Sequence, residues 1–436
     1  VGSEMCIRDR PLPARLDTLT QDTASIGDLS WWELYNDTTL QQLIHRALTY
    51  NKDLKIASAR MNELAALKRI DFANMFPQAT ARLNGNRETT NYGGDNFDAD
   101  PELSLTASIS WELDLWGNLR WARDHSTAGF LASVENCRAV KMGLVAQVAQ
   151  SYFELMALDN ELAIVRRTLE ARREGVRLAE IRFKGGLTSE IVFQQAKVEL
   201  AKTATMVPDL ERRISLKESE IALLTGDFPY AVNRNVLPEE IQLPDALPLG
   251  LPSTLLERRP DIRKAERELM AAHAEVGLAY TNMFPRLALT ATLGAESETL
   301  RDLLKSPYSY LAGNLLSPLF AMGKNRAALK AKRAAYEGAV AEYEKTVLTA
   351  FKETHNAIIN FNKIKDIYES RRQLAEASRT AVELAQLQYI NGVIGYLDLL
   401  DAQRNYFDAQ VSLSNAVCDK QLMIINLYKA LGGGWK

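Results

Sequence analysis

The stretch IDFANMFPQATARLNGN (residues 70–86) decides how this chain is read, because AYTNMFPRLALTATLGA (residues 279–295) echoes it. Asn-Met-Phe-Pro stands at 74–77 and again at 282–285, 208 positions later. Each copy separates a helix-like run from an alternating one. Proline has no N–H and disfavours helix for the residue before it, so Pro77 and Pro285 are the expected helix-to-strand joints.

The two copies set a register that other landmarks keep. Pro77 lies 40 positions before Gly117 in DLWGNLR, and Pro285 lies 38 before Gly323 in FAMGKNR. The next landmarks, Gly186 in RFKGGLTSE and Gly392 in QYINGVIGY, follow after 69 positions in both halves. Gly226 and Gly432 follow after a further 40 in both. A period this long excludes a solenoid of small repeats, so one unit has been duplicated. The expected organisation is an N-terminal extended segment over 1–30, a first repeat over 31–226, a linker over 227–252 and a second repeat over 253–436. The segment 226–252 holds five of the 14 prolines, which excludes a continuous helix there.

Between Gly117 and Gly186 there is no proline, and Val148, Tyr152, Leu155, Leu158, Leu162, Val165 and Leu169 fall at steps of three and four. That is one apolar stripe on a helix. Val340, Tyr343, Val347 and Ala350, then Ile358, Phe361, Ile364 and Tyr368, repeat it in the second half. At 1.5 Å per residue such a helix runs roughly 100 Å, a length at which helices pack as coiled coils. Shorter helices are expected over about 38–75, 189–224, 253–283 and 396–431.

After each NMFP the period changes to two. ELSLTASISWELDL sets Leu103, Leu105, Ala107, Ile109, Trp111 and Leu113 on one face and Ser104, Thr106, Ser108, Ser110 and Glu112 on the other. PRLALTATLGA repeats the pattern, so hairpins are expected over about 78–115 and 286–320. Two readings fit. A water-soluble four-stranded sheet resting on a helical core explains the alternation. A sheet between lipid and a water-filled lumen explains it too, and better accounts for a Ser/Thr face backing a Leu/Ile face. In lipid, four strands leave two unpaired edges, so several chains would have to pool their strands.

Bulk properties narrow the function. The 436 residues carry a formal charge of −3, with 47% hydrophobic and 25% charged residues, which argues against nucleic acid as a partner. No run of about 18 apolar residues supplies a transmembrane helix. Cys6, Cys137 and Cys418 lie far apart, as neither a zinc site nor a disulfide framework would have them. His45, His125, His273 and His355 are isolated, and HExxH, phosphate-loop and nucleophile-elbow motifs are absent. No catalytic residue, metal or cofactor is therefore expected. The opening VGSEMCIRDR has no apolar core of a secretory signal and reads as a mature, truncated or foreign start.

GLPSTLLERRPDIRKAERELMAAHAEVGLAYTNMFP (residues 250–285), WELDLWGNLR, SPLFAMGKNR, YLDLLDAQRNYFDAQ and NLYKALGGGW together resemble the outer-membrane efflux factors of the TolC superfamily. The nearest branch is the OprM/NodT type that serves resistance–nodulation–division (RND) pumps. The resemblance covers about residues 31–435. It implies a mainly α protein with a membrane β portion: a homotrimer whose four strands per chain complete a 12-stranded β-barrel above a long antiparallel coiled-coil α-barrel. It places the protein in outer-membrane lipid of a Gram-negative bacterium, with a large periplasmic portion. It implies a passive exit duct for drugs or other small toxic compounds, fed by an inner-membrane RND transporter through a periplasmic adaptor. A duct for an ABC or major-facilitator exporter, or a soluble coiled-coil scaffold, are the alternatives. Members of this branch commonly start at a lipidated cysteine in a Leu-x-Gly-Cys box; Cys6 in SEMC does not fit it and is not expected to be an anchor.

Two glycine turns, FKGGLTSE (183–190) and INGVIGYLD (390–398), end the long helices. On physical grounds they are hairpin turns that need glycine. The resemblance adds that Gly185, Gly186, Leu187, Thr188, Ser189, Asn391, Gly392 and Val393 form tips that dock the adaptor. Leu397 and Asp401 lie four apart on one helix face, with Arg404 three further on. The resemblance implies that these residues form the periplasmic gate. Three Asp401 carboxylates around a threefold axis would repel one another and attract cations. The plain alternative is that Asp398 and Asp401 only complement the positive end of their helix.

Overall fold

The computed structural model describes residues 37–90, 98–234, 252–318 and 320–433. The N-terminal segment with Cys6, most of the proline-rich linker and the loop at 91–97 lie outside the described residues. In the first half, α1 (Thr38–Tyr50) and α2 (Lys52–Ala73) lead into β1 (Gln78–Thr90) and β2 (Asp98–Leu113). Helices α3 (Asn118–Lys184) and α4 (Glu190–Thr225) follow. The second half runs α5 (Pro252–Arg258), α6 (Pro260–Thr281), β3 (Arg286–Ser297), β4 (Pro307–Leu316), α7 (Lys324–Ile390) and α8 (Tyr396–Ala430). Helices α3 and α7 are each 67 residues long.

The duplication is visible in the backbone. Gly117, Gly186 and Gly226 of the first half, and Gly323, Gly392 and Gly432 of the second, all have φ between 73° and 81°. That left-handed region is closed to most L side chains, so each pair fixes the same turn twice. Two helices are shorter than the periodicity suggests. The run over 38–75 breaks at Asn51, whose backbone is extended and whose side chain bonds outside the helix. Its amide donates to the Leu224 carbonyl at 3.0 Å and accepts from the Leu54 N–H at 2.9 Å. The run over 253–283 breaks at Arg259, before Pro260.

The chain packs as two units. The first comprises Val1–Ala57, Asn136–Ile262 and Val347–Lys436; the second comprises Ser58–Glu135 and Arg263–Thr346. In the first, the α3 stripe of Val148, Tyr152, Leu155 and Val165 packs with Leu40 and Ile44 of α1. Ile221 of α4, Phe361 of α7 and Leu427 of α8 close the same core. In the second unit, Trp121 of α3 lies over Gly277 of α6 so closely that a Cβ there would sit 2.4 Å from the indole.

The RRPDIRKAE stretch holds the first unit together at Arg259, which is buried between α5 and α6. Its guanidinium donates to Asp261 at 2.7 Å, to Glu353 of α7 at 2.6 Å and to the Ala430 carbonyl, which ends α8, at 3.2 Å. Thr354 donates to that same carbonyl at 3.2 Å. Arg259→Ala should cost about 2 kcal/mol, since both carboxylates retain access to water while the charge-assisted bonds are lost. Chemical denaturation should show the lowered midpoint, and Arg259→Lys, which cannot fork to two carboxylates, should recover only part of it.

Candidate functional site

The four strands form one antiparallel sheet in the order β1-β2-β3-β4. The central pair, β2 with β3, joins the two halves, from Leu103↔Ser297 to Leu113↔Leu287. Register brings apolar residues together on one face: Leu83 with Leu105 and Ala295, and Ala81 with Ala107 and Leu293. Ile109 aligns there with Ala79 and with Ala291, which pairs with Leu311. This face points outward, with Leu293 68% exposed, whereas Thr292 on the other face is 4% exposed. The Ser108 and Thr292 hydroxyls lie 3.0 Å apart on that polar face. The sheet is thus inside out relative to a water-soluble one. Each large apolar side chain would gain about 1.5–3 kcal/mol on leaving water for hydrocarbon. Among the described residues no helix is long and apolar enough to cross a membrane.

Both NMFP joints are tied to one segment, residues 111–120. The Trp111 indole donates to the Met75 carbonyl at 3.1 Å, and the Trp116 indole to the Pro285 carbonyl at 2.8 Å. Trp116 also stacks on Phe284 at 5.1 Å. Asn118 donates to Thr281 and Asn282 at 3.0 and 2.9 Å. Asp114 accepts from the Leu119 and Arg120 N–H groups and so caps α3.

The two tips share one turn. Gly186 and Gly392 sit in the left-handed region, with bonds from Leu187 N–H to the Arg182 carbonyl (2.8 Å) and from Val393 N–H to the Gln388 carbonyl (2.9 Å). These are glycine-closed helix ends, which leave Leu187 and Val393 exposed. The tips also touch each other, since the Arg182 guanidinium lies 4.7 Å from the Tyr389 ring centre.

At the start of α8, Asp398 accepts the Gly395 N–H at 3.0 Å and serves as the helix cap. Asp401 does not. It accepts only from Asn405, at 3.2 Å, and has no ion-pair partner among the described residues. Leu397 is exposed. Arg404 donates to Glu199 of α4 and stays within electrostatic reach of Asp401. Glu199 also lies 3.0 Å from Arg172 of α3, and the side chains of both are buried, 4% and 9% exposed. Arg404 holds the Glu199 carboxyl below its ordinary range against the effect of burial, with Arg172 helping. The sequence reading named Arg404 but missed Glu199 and Arg172. The available signal was position: Glu199 falls on the buried stripe of α4 between Ala196 and Thr203.

Cys137 and Cys418 are free thiols, and burial pushes Cys418 up to about 12, where it stays protonated. Among the described residues no group of His, Cys, Asp and Glu gathers as a metal site.

The model of the family of outer membrane efflux proteins matches the chain twice, over residues 43–227 and 251–433. The chain belongs to that family. Among relatives, the solvent efflux pump outer membrane protein SrpC of Pseudomonas putida is 33% identical, over 92% of this chain and 87% of its own. The pyoverdine export outer membrane protein OpmQ of Pseudomonas aeruginosa is 31% identical, over 97% and 91%. The structure of the outer-membrane channel OprN matches with a TM-score of 0.90 at 30% identity, covering 100% of this chain and 99% of that one. This efflux protein therefore has the fold of those channels, resides in the outer membrane and forms the outer-membrane channel of an efflux pump. The outward apolar face of its sheet is the lipid face.

Two outcomes follow. Leu293→Arg should cost about 2–4 kcal/mol and cut assembly into the outer membrane, whereas Thr290→Arg, on the polar face of the same strand, should be tolerated. Membrane fractionation with heat-modifiability on gels distinguishes them. Glu199, whose folded pKa is depressed, contributes stability above its ordinary 4.5 that is lost as pH falls through the lower folded value. Amide exchange over 396–404, corrected for intrinsic rates, should therefore accelerate in acid. Glu199→Gln should exchange faster already at neutral pH and lack the acid step.

Proposed function

We propose that this efflux protein acts as one third of a homotrimeric exit duct that pools its strands into a twelve-stranded barrel. The observation that carries the reading is the inside-out sheet, in which β1 and β4 each pair on one side only among the described residues. Such edges need neighbours in lipid, and further copies of the same chain can supply them. The duct performs no chemistry of its own. It conducts small toxic compounds delivered by an inner-membrane RND transporter through a periplasmic adaptor. Support for a broad small-molecule cargo comes from the relatives, one named for solvents and another for pyoverdine.

The adaptor docks on the two tips, at Gly185–Ser189 and Asn391–Val393. Their support is the exposed Leu187 and Val393 beside rigid, glycine-fixed turns. The gate is the ring of Leu397 and Asp401 from each chain, positioned by Arg404. Its support is that Asp401 is neither the helix cap nor ion-paired, which leaves its charge available to face symmetry mates. Asp401→Ala should raise single-channel conductance in planar bilayers several-fold and weaken cation preference. Equal conductance and selectivity in the two proteins would remove Asp401 from the gate, and absence of conductance in both would remove the duct.

A further inference from the structure

Between the two tip hairpins lies a cavity of about 480 Å³, within the size range of small-molecule sites. All four helices of the tips line it. Leu178, Ala179, Ala196, Leu399 and Leu400 make an apolar wall, and Tyr396 stands at one side. Two guanidinium groups, Arg172 and Arg182, line the same space.

The charges around this cavity do not balance. Every hydrogen bond that Arg172 makes uses Nη1: to the Glu199 carbonyl at 2.9 Å and to the Thr203 hydroxyl. Its closest approach to the Glu199 carboxylate, 3.0 Å, also uses Nη1. Nε and Nη2 have no hydrogen-bond partner among the described residues, although the side chain is 9% exposed. Glu199 is shared with Arg404. Among the described residues Arg182 has the Tyr389 ring, 4.7 Å away, and no carboxylate partner. The other acid on the wall, Glu174, is bound at the surface by Arg177 at 2.9 Å. Burial pushes the Arg172 guanidinium below its ordinary value, Glu199 opposes this, and the nearby Arg404 adds to it. Two cations therefore line one apolar chamber, Arg172 with the Phe407 ring 5.8 Å from its guanidinium and Arg182 with the Tyr389 ring.

We propose that this chamber is a binding site for a small amphipathic monoanion, a carboxylate on an aromatic or aliphatic body. The carboxylate would take Arg182, and the apolar body would run along the wall between α4 and α8 toward Arg172, which stands ten residues, roughly 15 Å, up the same helix. Planar, forked donors suit a carboxylate better than a point charge would. Because the carboxylate sits on Arg182, the ligand would leave the Glu199–Arg404 pair intact. Its contacts with both hairpins would tie the first tip to the second.

The test is calorimetric titration of the whole protein in lipid nanodiscs, with empty discs as the blank. The probes are 2-naphthoate, decanoate and the neutral 2-naphthalenemethanol. Saturable binding of at least one carboxylate, with one site per chain, is expected; which of the two binds tighter distinguishes an aromatic from a fatty-acid source. Arg182→Gln should weaken it by roughly ten- to a hundredfold, the cost of a charge-assisted pair. Arg182 makes no ion pair among the described residues, so its variant reads binding without loosening the buried network. The idea is overturned if neither carboxylate binds above the blank, if Arg182→Gln binds as tightly as the unaltered chain, or if the neutral alcohol matches naphthoate.

Discussion

A strand edge in hydrocarbon leaves its N–H and C=O groups without partners, at a cost of several kcal/mol for each group. The rest of this molecule depends on that constraint. Its sheet carries Leu83, Leu105, Ile109, Leu293 and Leu311 outward, where only lipid makes them favourable, and so commits four strands to a solvent that cannot satisfy their edges. Among the described residues, β2–β3 closes the seam between the halves with eleven aligned pairs, but β1 and β4 stay open on one side. Duplication supplies four strands where one unit would supply two, and the remaining pairing has to come from outside the chain.

The same constraint explains why the joints are built so carefully. Where a helix ends and a strand begins, the last carbonyls of the helix lose their intrahelical partners. At both NMFP sites a proline follows, which can donate nothing. The indoles of Trp111 and Trp116 approach from a single segment and satisfy a carbonyl at each joint. The two halves are therefore not independent copies. The WELDLWGNLR segment of the first serves both, with Asp114 capping α3 and Asn118 holding the end of α6. That dual duty is a physical reason for its composition, since two indole donors, a cap and a left-handed glycine are all needed within ten residues.

Much of this was legible in the sequence because it rests on local periodicity and on residues with one conformational use. The long helices appeared as stripes without proline, the landmark glycines as equally spaced turns, and the strand faces as alternation of two. The breaks at Asn51 and Arg259 were not legible from periodicity. Asn51 leaves its helix for the Leu224 carbonyl, more than 170 positions away, and such a tertiary bond overrides a good helical pattern. Strand β4 was ambiguous because Tyr308, Gly313 and Asn314 interrupt its alternation; it is fixed by register with β3 instead. At the candidate gate, spacing picked out Leu397, Asp401 and Arg404 as one face. The structure leaves Leu397 and Asp401 exposed and adds a partner the spacing did not reveal, Glu199 of α4, to Arg404.

The Arg172–Glu199–Arg404 cluster is an odd choice if stability were its purpose. Burying charges costs desolvation that a well-packed apolar trio would avoid, so such networks are weak evidence for a stabilising role. What an ionic cluster offers is direction and reversibility. A leucine in place of Glu199 would adhere to either neighbouring helix, whereas a carboxylate shared by two guanidinium groups fixes which face of α8 meets α4. It also comes apart in discrete steps, because pulling Arg404 away leaves Glu199 still paired with Arg172 and not stranded in the interior. A helix that must be held in one register and then released without exposing an uncompensated charge is served by a three-member cluster better than by a pair. The extra cation, Arg172, also explains why positive charge is left over beside the tip cavity. It pairs with Glu199 independently of the Arg404 contact.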